Sequence, residues 1–505
     1  MSASLRLKIA RLGMYLAGLV AVVNISVIYL ALPSIERSLH AGIADQQWIV
    51  SIYPLMEGGF TLAAGTLGDL YGRKRILTIC VVGFTLATLA CAIAPGAATL
   101  IVARGLQGIF GSALLSLPVA ILVAMAPSAD ERENAVGAFA MIAGLGAVVG
   151  PVLGGILVHA FAWPSVFYVS VALGAVVAAT LPFVDSGRLD AAPRMDYLGQ
   201  ATSILALMAL SFAMIEGNAT GWFATPILIA FALFVALLTG FIVHERRTAH
   251  PMIKLAYFKL PVFDGAALTI GILNFGWFGI MLVCTLYLQN VLDVSALAAG
   301  FYLMPSNVAF FAANQVSARL DRAVGLFATT MIALGVSVLG MLWMLTFTVT
   351  TPAWQVAGAL FVMGLGWGAV FTPAQAAGMR ACEECDQGFA AGAMALSRSV
   401  FGVIGIAVLG AMIAASMALG VTASLAGSGD APATVRAAAL TIHHGGAFSL
   451  LASPPPGLTA VALEPVLDAS FVSGMRSAMI VCILATVAMT AFIGWLLSRR
   501  TDPAR

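Results

Sequence analysis

Charge is what this sequence has least of. Of its 505 residues only 9% are Asp, Glu, Lys or Arg, while 61% are apolar. A soluble domain carries roughly a quarter charged residues, so a surface wetted on all sides is excluded. Cysteine is scarce too, with six in the whole chain. Most of these sit in apolar runs as packing residues, and Cys382-Glu-Glu-Cys385 is a lone C-x-x-C without a second ligand pair, which gives no metal centre. The histidines show no ligand spacing. There is no basic tract, so nucleic acid is not an expected partner. HExxH, a phosphate-cradling glycine loop and a Ser/His/Asp set at the membrane face are all missing. An intramembrane enzyme, ATP-driven transport and a bound cofactor are therefore not expected.

What the chain has instead is apolar runs of about 20 residues, repeated from end to end, the signature of membrane helices. The first, about 12–32, follows Arg6, Lys8 and Arg11 but is too long for a signal core, and reads as a retained helix. Fourteen spans are expected, all helical because lipid offers the backbone no hydrogen-bond partner. With the N-terminus in the cytosol, nineteen of the 24 Lys and Arg fall on the cytosolic side. Arg37, Arg436 and Arg476 fall outside, and Arg104 and Arg398 lie within spans. This bias places both termini in the cytosol.

The expected division is a six-helix bundle over 1–184, two linkers and an extra helix pair over 185–259, and a second six-helix bundle over 260–505. An outer loop over about 419–474 interrupts the second bundle and includes Gly427-Ser-Gly-Asp430 and Ser453-Pro-Pro-Pro456. A weak repeat relates the bundles. Gly65-Thr-Leu-Gly-Asp69-Leu-Tyr-Gly72-Arg73 follows the second span of the first, and Ser317-Ala-Arg-Leu-Asp321-Arg-Ala-Val-Gly325 that of the second. Duplicated bundles with a site between them are a common transporter plan.

Three strings carry a resemblance. Gly65-x-Leu67-x-Asp69-x-x-Gly72-Arg73-Lys74-Arg75 joins spans 2 and 3, Arg104-Gly-Leu-Gln107-Gly108-Ile-Phe-Gly111 lies in span 4, and Gly146-Ala-Val-Val-Gly150-Pro151-Val-Leu-Gly154-Gly155 lies in span 5. Together with Ala31-Leu-Pro33, Gln47-Trp48 and Asp196-Tyr-Leu-Gly199, they resemble the major facilitator superfamily over nearly the whole chain, and with fourteen spans its drug:proton antiporter subfamily. The resemblance implies an all-α polytopic fold of two six-helix bundles plus two helices in a cell membrane, a bacterial inner membrane by likeness. It implies a monomer that exports small amphipathic molecules in exchange for protons. An uptake carrier or uncoupled facilitator is the alternative on the same fold, and an intramembrane enzyme a more distant one.

The resemblance also implies roles. Gly65, Asp69, Gly72 and Arg73 would form a cytosolic latch. In it Asp69 meets the start of span 13 near Gly388, and Arg73 pairs with Asp130 or Glu131. Gly146, Gly150, Pro151, Gly154 and Gly155 would form the antiporter string, in which small residues four apart allow close helix contact. The subfamily's helix 1 aspartate is absent, with Asn24 in its place, and an amide does not titrate. From the residues themselves, Glu57 is the one acid of 22 near the middle of a span. A lone carboxylate there is expensive to keep ionised. It is either the proton carrier or a structural partner of Arg104. Asn24, Tyr29, Tyr53, Met56, Trp277, Phe310 and Trp367 are candidate cavity residues.

Overall fold

The computed structural model describes residues 3–184, 195–248, 254, 256–383, 387–427, 450 and 459–498. Among them are no strands. The helices are α1 (Ala3–Leu39), α2 (Ile43–Tyr71), α3 (Arg73–Ala92), α4 (Ala97–Met125), α5 (Ala129–Phe161), α6 (Ser165–Thr180), α7 (Tyr197–Thr220), α8 (Thr225–Arg247) and α9 (Pro261–Leu286). A helical run Ala296–Met344 follows, then Ala353–Arg380, Gln387–Gly427 and Ala460–Ser498. Twelve described helices, that run counted once, are long and apolar enough to cross a membrane. Helix α2 is not among them, because Gln46, Gln47, Glu57 and the Gly58-Gly59 pair dilute its hydrophobicity.

The run Ala296–Met344 is two helices. Gly325 inside it has φ 81° and ψ 160°, a conformation that glycine adopts without a Cβ penalty. Gly364 packs on the Ser306 carbonyl while Gly366 packs on Ala333 and Ser337. Residues 306 and 333 would stand about 40 Å apart in a straight helix, yet both meet one turn of the same neighbour. The chain therefore doubles back at Gly325, giving α10 (296–324) and α11 (326–344). The remaining helices are α12 (Ala353–Arg380), α13 (Gln387–Gly427) and α14 (Ala460–Ser498). Gly72, between α2 and α3, also has a positive φ, 97°. The two repeated strings thus end in the same device, a glycine that reverses the chain between two helices.

Packing repeats as well. Helix α1 packs on α5 as α9 packs on α13, and across the seam α5 meets α10 as α2 meets α13. Bare backbone permits both crossings. A Cβ on Gly155 would stand 2.5 Å from the Ala296 carbonyl oxygen, and one on Gly300 2.5 Å from that of Pro151. On the other seam Gly58 packs on Ser399, Gly392 on Leu62 and Gly410 on Gln47. Gln47 Nε2 donates to the carbonyls of Ile406 at 2.8 Å and Ala407 at 3.0 Å.

The extra pair, α7 and α8, lies against this second seam. Asp196 caps α7 by accepting from the Gly199 N–H at 2.8 Å, and it also holds His244 of α8 at 2.8 Å. The Gln200 amide donates to the Gly59 carbonyl, and Trp48 Nε1 donates to Glu216 at 2.9 Å. Toward α13 the contact is apolar, with Leu207, Leu210 and Met214 facing Val400, Val403 and Ile404.

The outer loop differs from expectation. Helix α13 continues to Gly427 and α14 already starts at Ala460, because their ends pair beyond the apolar run. Ser416 donates to the Ser470 carbonyl at 2.9 Å, and Gly420 packs on Ser470. Most of Gly427–Asp430, all of Ser453–Pro456, and Cys385 lie outside the described residues.

Substituting Gly300→Leu forces a branched side chain into the Pro151 backbone. In this variant a cysteine introduced at Asn307, between the halves, in an otherwise cysteine-free chain should become several-fold more reactive to a membrane-impermeant reagent added outside, with insertion unchanged. Parent-like reactivity would show that the α5–α10 crossing does not seal the outer side.

Candidate transport site

The first half places a carboxylate where it can meet the second. Helix α2 carries Gln47, Ser51, Pro54 and Glu57 at helical spacing along one face, with Gly58 beside them letting α13 approach. Glu57 is 1% exposed. Its Oε1 accepts from the Tyr53 hydroxyl at 3.4 Å. Its Oε2 has no hydrogen-bond partner and lies 3.8 Å from Arg398 Nη2 of α13. The Arg398 side chain is 29% exposed, so this ion pair is loose and stands on the wall of a cavity.

That cavity lies between the halves and has a volume of about 180 Å³. One wall is aromatic: Trp277 lies 5.3 Å from Phe310 and 5.0 Å from Trp367, and Phe310 lies 5.5 Å from Phe371, ring centre to ring centre. The polar lining comprises Glu57, Arg398, Asn274 and Asn307. Trp277, Phe310 and Trp367 are thus brought together as cavity residues. The other four candidates are not. Tyr53 and Met56 sit on the side of α2 that faces α4, where Gly108 lets them approach. Tyr29 is buried with its hydroxyl unpartnered, and Asn24 belongs to the cluster around Arg104.

Arg104 does not reach the surface; it is 1% exposed. Its Nη1 donates to Asn24 Oδ1 at 2.5 Å and Gln107 Oε1 at 2.7 Å, and its Nε to the Ile49 carbonyl at 3.1 Å. Its guanidinium carbon stands 4.6 Å from the Tyr53 ring centre, close enough for cation–π attraction. Gln107 donates onward to Thr88 at 2.7 Å, and Asn24 Nδ2 to Ser170 at 3.5 Å. An amide at 24 both accepts from Arg104 and donates to Ser170, and a carboxylate could only accept. That is a structural reason for Asn24. A direct Arg104–Glu57 pair is not formed; Tyr53 stands between them.

Arg398 is a site residue that no motif in the sequence singles out. It is one of two arginines within spans, and an intramembrane cation is itself a pointer to a site. The amides Asn274 and Asn307 gave a weaker signal of the same kind.

At the junction of α2 and α3, Arg73 Nε bonds Asp69 at 3.0 Å and Arg73 Nη1 donates to the Ala120 carbonyl at 3.2 Å. The expected pairing of Arg73 with Asp130 or Glu131 is not seen. Glu131 is taken by Arg11 at 2.9 Å, because α1 runs on to Ala3 rather than ending near residue 12. Asp130 is an exposed residue in the first turn of α5. Gly65 has open space where its Cβ would be. Asp69 is bonded within its own turn, and the surroundings of Gly388 lie outside the described residues. In α5 the string divides by face. Gly146, Gly150 and Gly154 pack on Val23, Ser26 and Val27 of α1, and Pro151 and Gly155 on α10.

The sequence matches the profile of the Major Facilitator Superfamily over residues 14–406. It is 32% identical over 478 residues to the multidrug resistance protein Stp of Mycobacterium tuberculosis, covering 93% of this chain and 88% of that one. It is 29% identical over 492 residues to the drug efflux pump JefA of the same species, covering 95% and 96%. It is 32% identical over 398 residues to a methylenomycin A resistance protein of Streptomyces coelicolor, covering 78% and 83%. The fold is similar to a bacterial homologue of the human lysosomal transporter Spinster in an inward-facing, unoccupied conformation. There the TM-score is 0.66 at 17% identity, over 99% of each chain.

Arg104→Ala should destabilise the first half. It leaves Asn24, Gln107 and the Ile49 carbonyl without their donor, at about 1–3 kcal/mol for each acceptor left buried and unpaired. Arg104→Lys should recover part of the loss, since an ammonium cannot span all three. Thermal unfolding in detergent measures this; an unchanged midpoint for the alanine variant would remove Arg104 from the structural core.

Proposed function

The chain belongs to the Major Facilitator Superfamily, and from that membership we propose that it exports small drug-like molecules by alternating access, in exchange for protons. Relatives named for drug resistance and efflux, matched over most of their length, support export. The aromatic-walled cavity between the halves supports an amphipathic cargo. The family and fold are those of transporters rather than enzymes. The chain crosses a cell membrane fourteen times as a monomer, with both termini in the cytosol. Its division is 1–184, 185–259 and 260–505. In the outward-open state Asp69 steadies the cytosolic closure.

Glu57 carries the coupling reading. A carboxylate with one weak hydrogen bond and one loose ion pair, on the wall of the cavity, is a group whose charge can change during the cycle. Energetically one proton suffices. Its fall through 100 mV supplies roughly 2.3 kcal/mol, equivalent to about a fifty-fold gradient of a neutral substrate.

Two measurements test this. In energised vesicles, Glu57→Gln should lose proton-driven efflux while keeping substrate exchange, and Glu57→Asp should restore part of the coupling. Parent-like driven efflux in the glutamine variant would take the proton from Glu57. Loss of gradient dependence in the parent itself would make this an uncoupled facilitator. For orientation, Arg188→Cys should react only from the cytosolic side, and labelling only from outside would invert the topology.

A further inference from the structure

Glu57 and Arg398 belong to different halves. Glu57 is on α2 of the first bundle and Arg398 on α13 of the second, and their 3.8 Å contact crosses the seam beside the Gly58–Ser399 approach. We propose that Arg398 is the positioning residue that ties the charge of Glu57 to the setting of the two halves: guanidinium and proton compete for one carboxylate, and the guanidinium is within reach only while α13 lies against α2 as it does here. This deepens the proton-exchange reading and rests on it.

Three observations carry the inference. First, the carboxylate has no better partner. Its Oε2 makes no hydrogen bond, and its Oε1 has only the Tyr53 hydroxyl at 3.4 Å. Second, the other charged groups around α2 are engaged elsewhere. Arg104 of α4 is held by Asn24, Gln107 and the Ile49 carbonyl. Glu216 of α7 accepts from Trp48, Arg73 of α3 is bonded to Asp69, and Glu36 of α1 accepts from Gln46. Arg37 of α1 donates to the Pro33 carbonyl, Arg11 of α1 pairs with Glu131, and Asp45 of α2 accepts from the Gly42 N–H; Asn24 and Tyr29 of α1 carry no charge. Third, the two halves touch closely on the outer side of this pair, where Gly155 and Gly300 meet the α10 and α5 backbones and Gln47 bonds the α13 carbonyls.

The consequence is directional. In this setting Arg398 faces Glu57 across the seam and can stand in for the proton as its positive partner. When α13 swings from α2 the carboxylate loses its cation, and a proton arriving from outside takes its place. A buried charge has to be neutralised by one or the other. The carrier therefore binds its proton in one setting and releases it in the other. A ligand or proton shifts a conformational equilibrium only through such a difference between states.

The experiment uses the full chain in nanodiscs, in a cysteine-free background with spin labels at Phe161 and Trp354, exposed positions at the outer ends of α5 and α12. The readout is the outer-closed population against pH. In the parent, acidification should lower that population several-fold. Glu57→Gln should hold it at the parent's acid value at every pH. Arg398→Gln should also flatten the response, and Arg398→Lys should restore a weakened one. Adding Arg398→Gln to Glu57→Gln should change nothing further. A parent-like response in Arg398→Gln beside a flat one in Glu57→Gln overturns the role of Arg398 and leaves the Glu57 reading intact. Parent-like responses in both overturn both. A further shift in the double variant assigns Arg398 a plain packing role. If Arg398→Gln fails to insert, Arg398→Lys and the double variant still decide between these outcomes.

Discussion

A charge placed in hydrocarbon must bring its neutralising partners with it. This constraint organises the interior. Arg104 meets it within one half, through neutral oxygens from α1, α2 and α4 and the face of Tyr53. That arrangement is closed: it knits three helices together and leaves little for a ligand to do. Glu57 meets the constraint across the seam, with a single cation at 3.8 Å. One cluster is a rivet and the other a clasp. Tyr53 touches both, with its ring under Arg104 and its hydroxyl on Glu57.

For a clasp to open and close, the surfaces that carry it must come very near and still separate. Glycine provides the nearness. At the α5–α10 crossing backbone lies on backbone, and at the α2–α13 crossing glycines receive Ser399, Leu62 and Gln47. The first face can part without rotamer changes, with van der Waals contact most of what holds it in lipid, while the second also gives up the two Gln47 hydrogen bonds. The Gly-rich string of α5 serves two neighbours at once. Three glycines seat it firmly on α1, while Pro151 and Gly155 present backbone to the opposite half. The same helix is thereby fixed on one side and free on the other.

Much of this was legible before any coordinates. Apolar runs give helices because lipid permits nothing else, and the paired strings ending in Gly72 and Gly325 announced a duplicated bundle. The span 5 glycines were readable as a close contact, though not as two contacts on different faces. What escaped was side-chain partnership across the seam. Nothing in one sequence says that position 57 faces position 398, since that depends on which side of α2 turns toward α13. Tyr53 and Met56 share that helix and pack toward α4, where Gly108 admits them. The latch partner was missed because α1 runs past the membrane and delivers Arg11 to Glu131, an extension that hydropathy does not mark.

The extra helix pair breaks the symmetry of the two halves. Helix α7 is fastened to α2 by hydrogen bonds from Gln200 and to Glu216, and meets α13 through Leu207, Leu210 and Met214. A polar fastening on one side and a greasy one on the other make the pair a passenger of the first half. In the proposed cycle the α2–α13 seam would slide beneath a curtain that travels with α2. Among the described residues no helix pair covers the α5–α10 seam, and exposed Val149 and Phe301 flank it. The molecule therefore has a sheltered flank and a bare one.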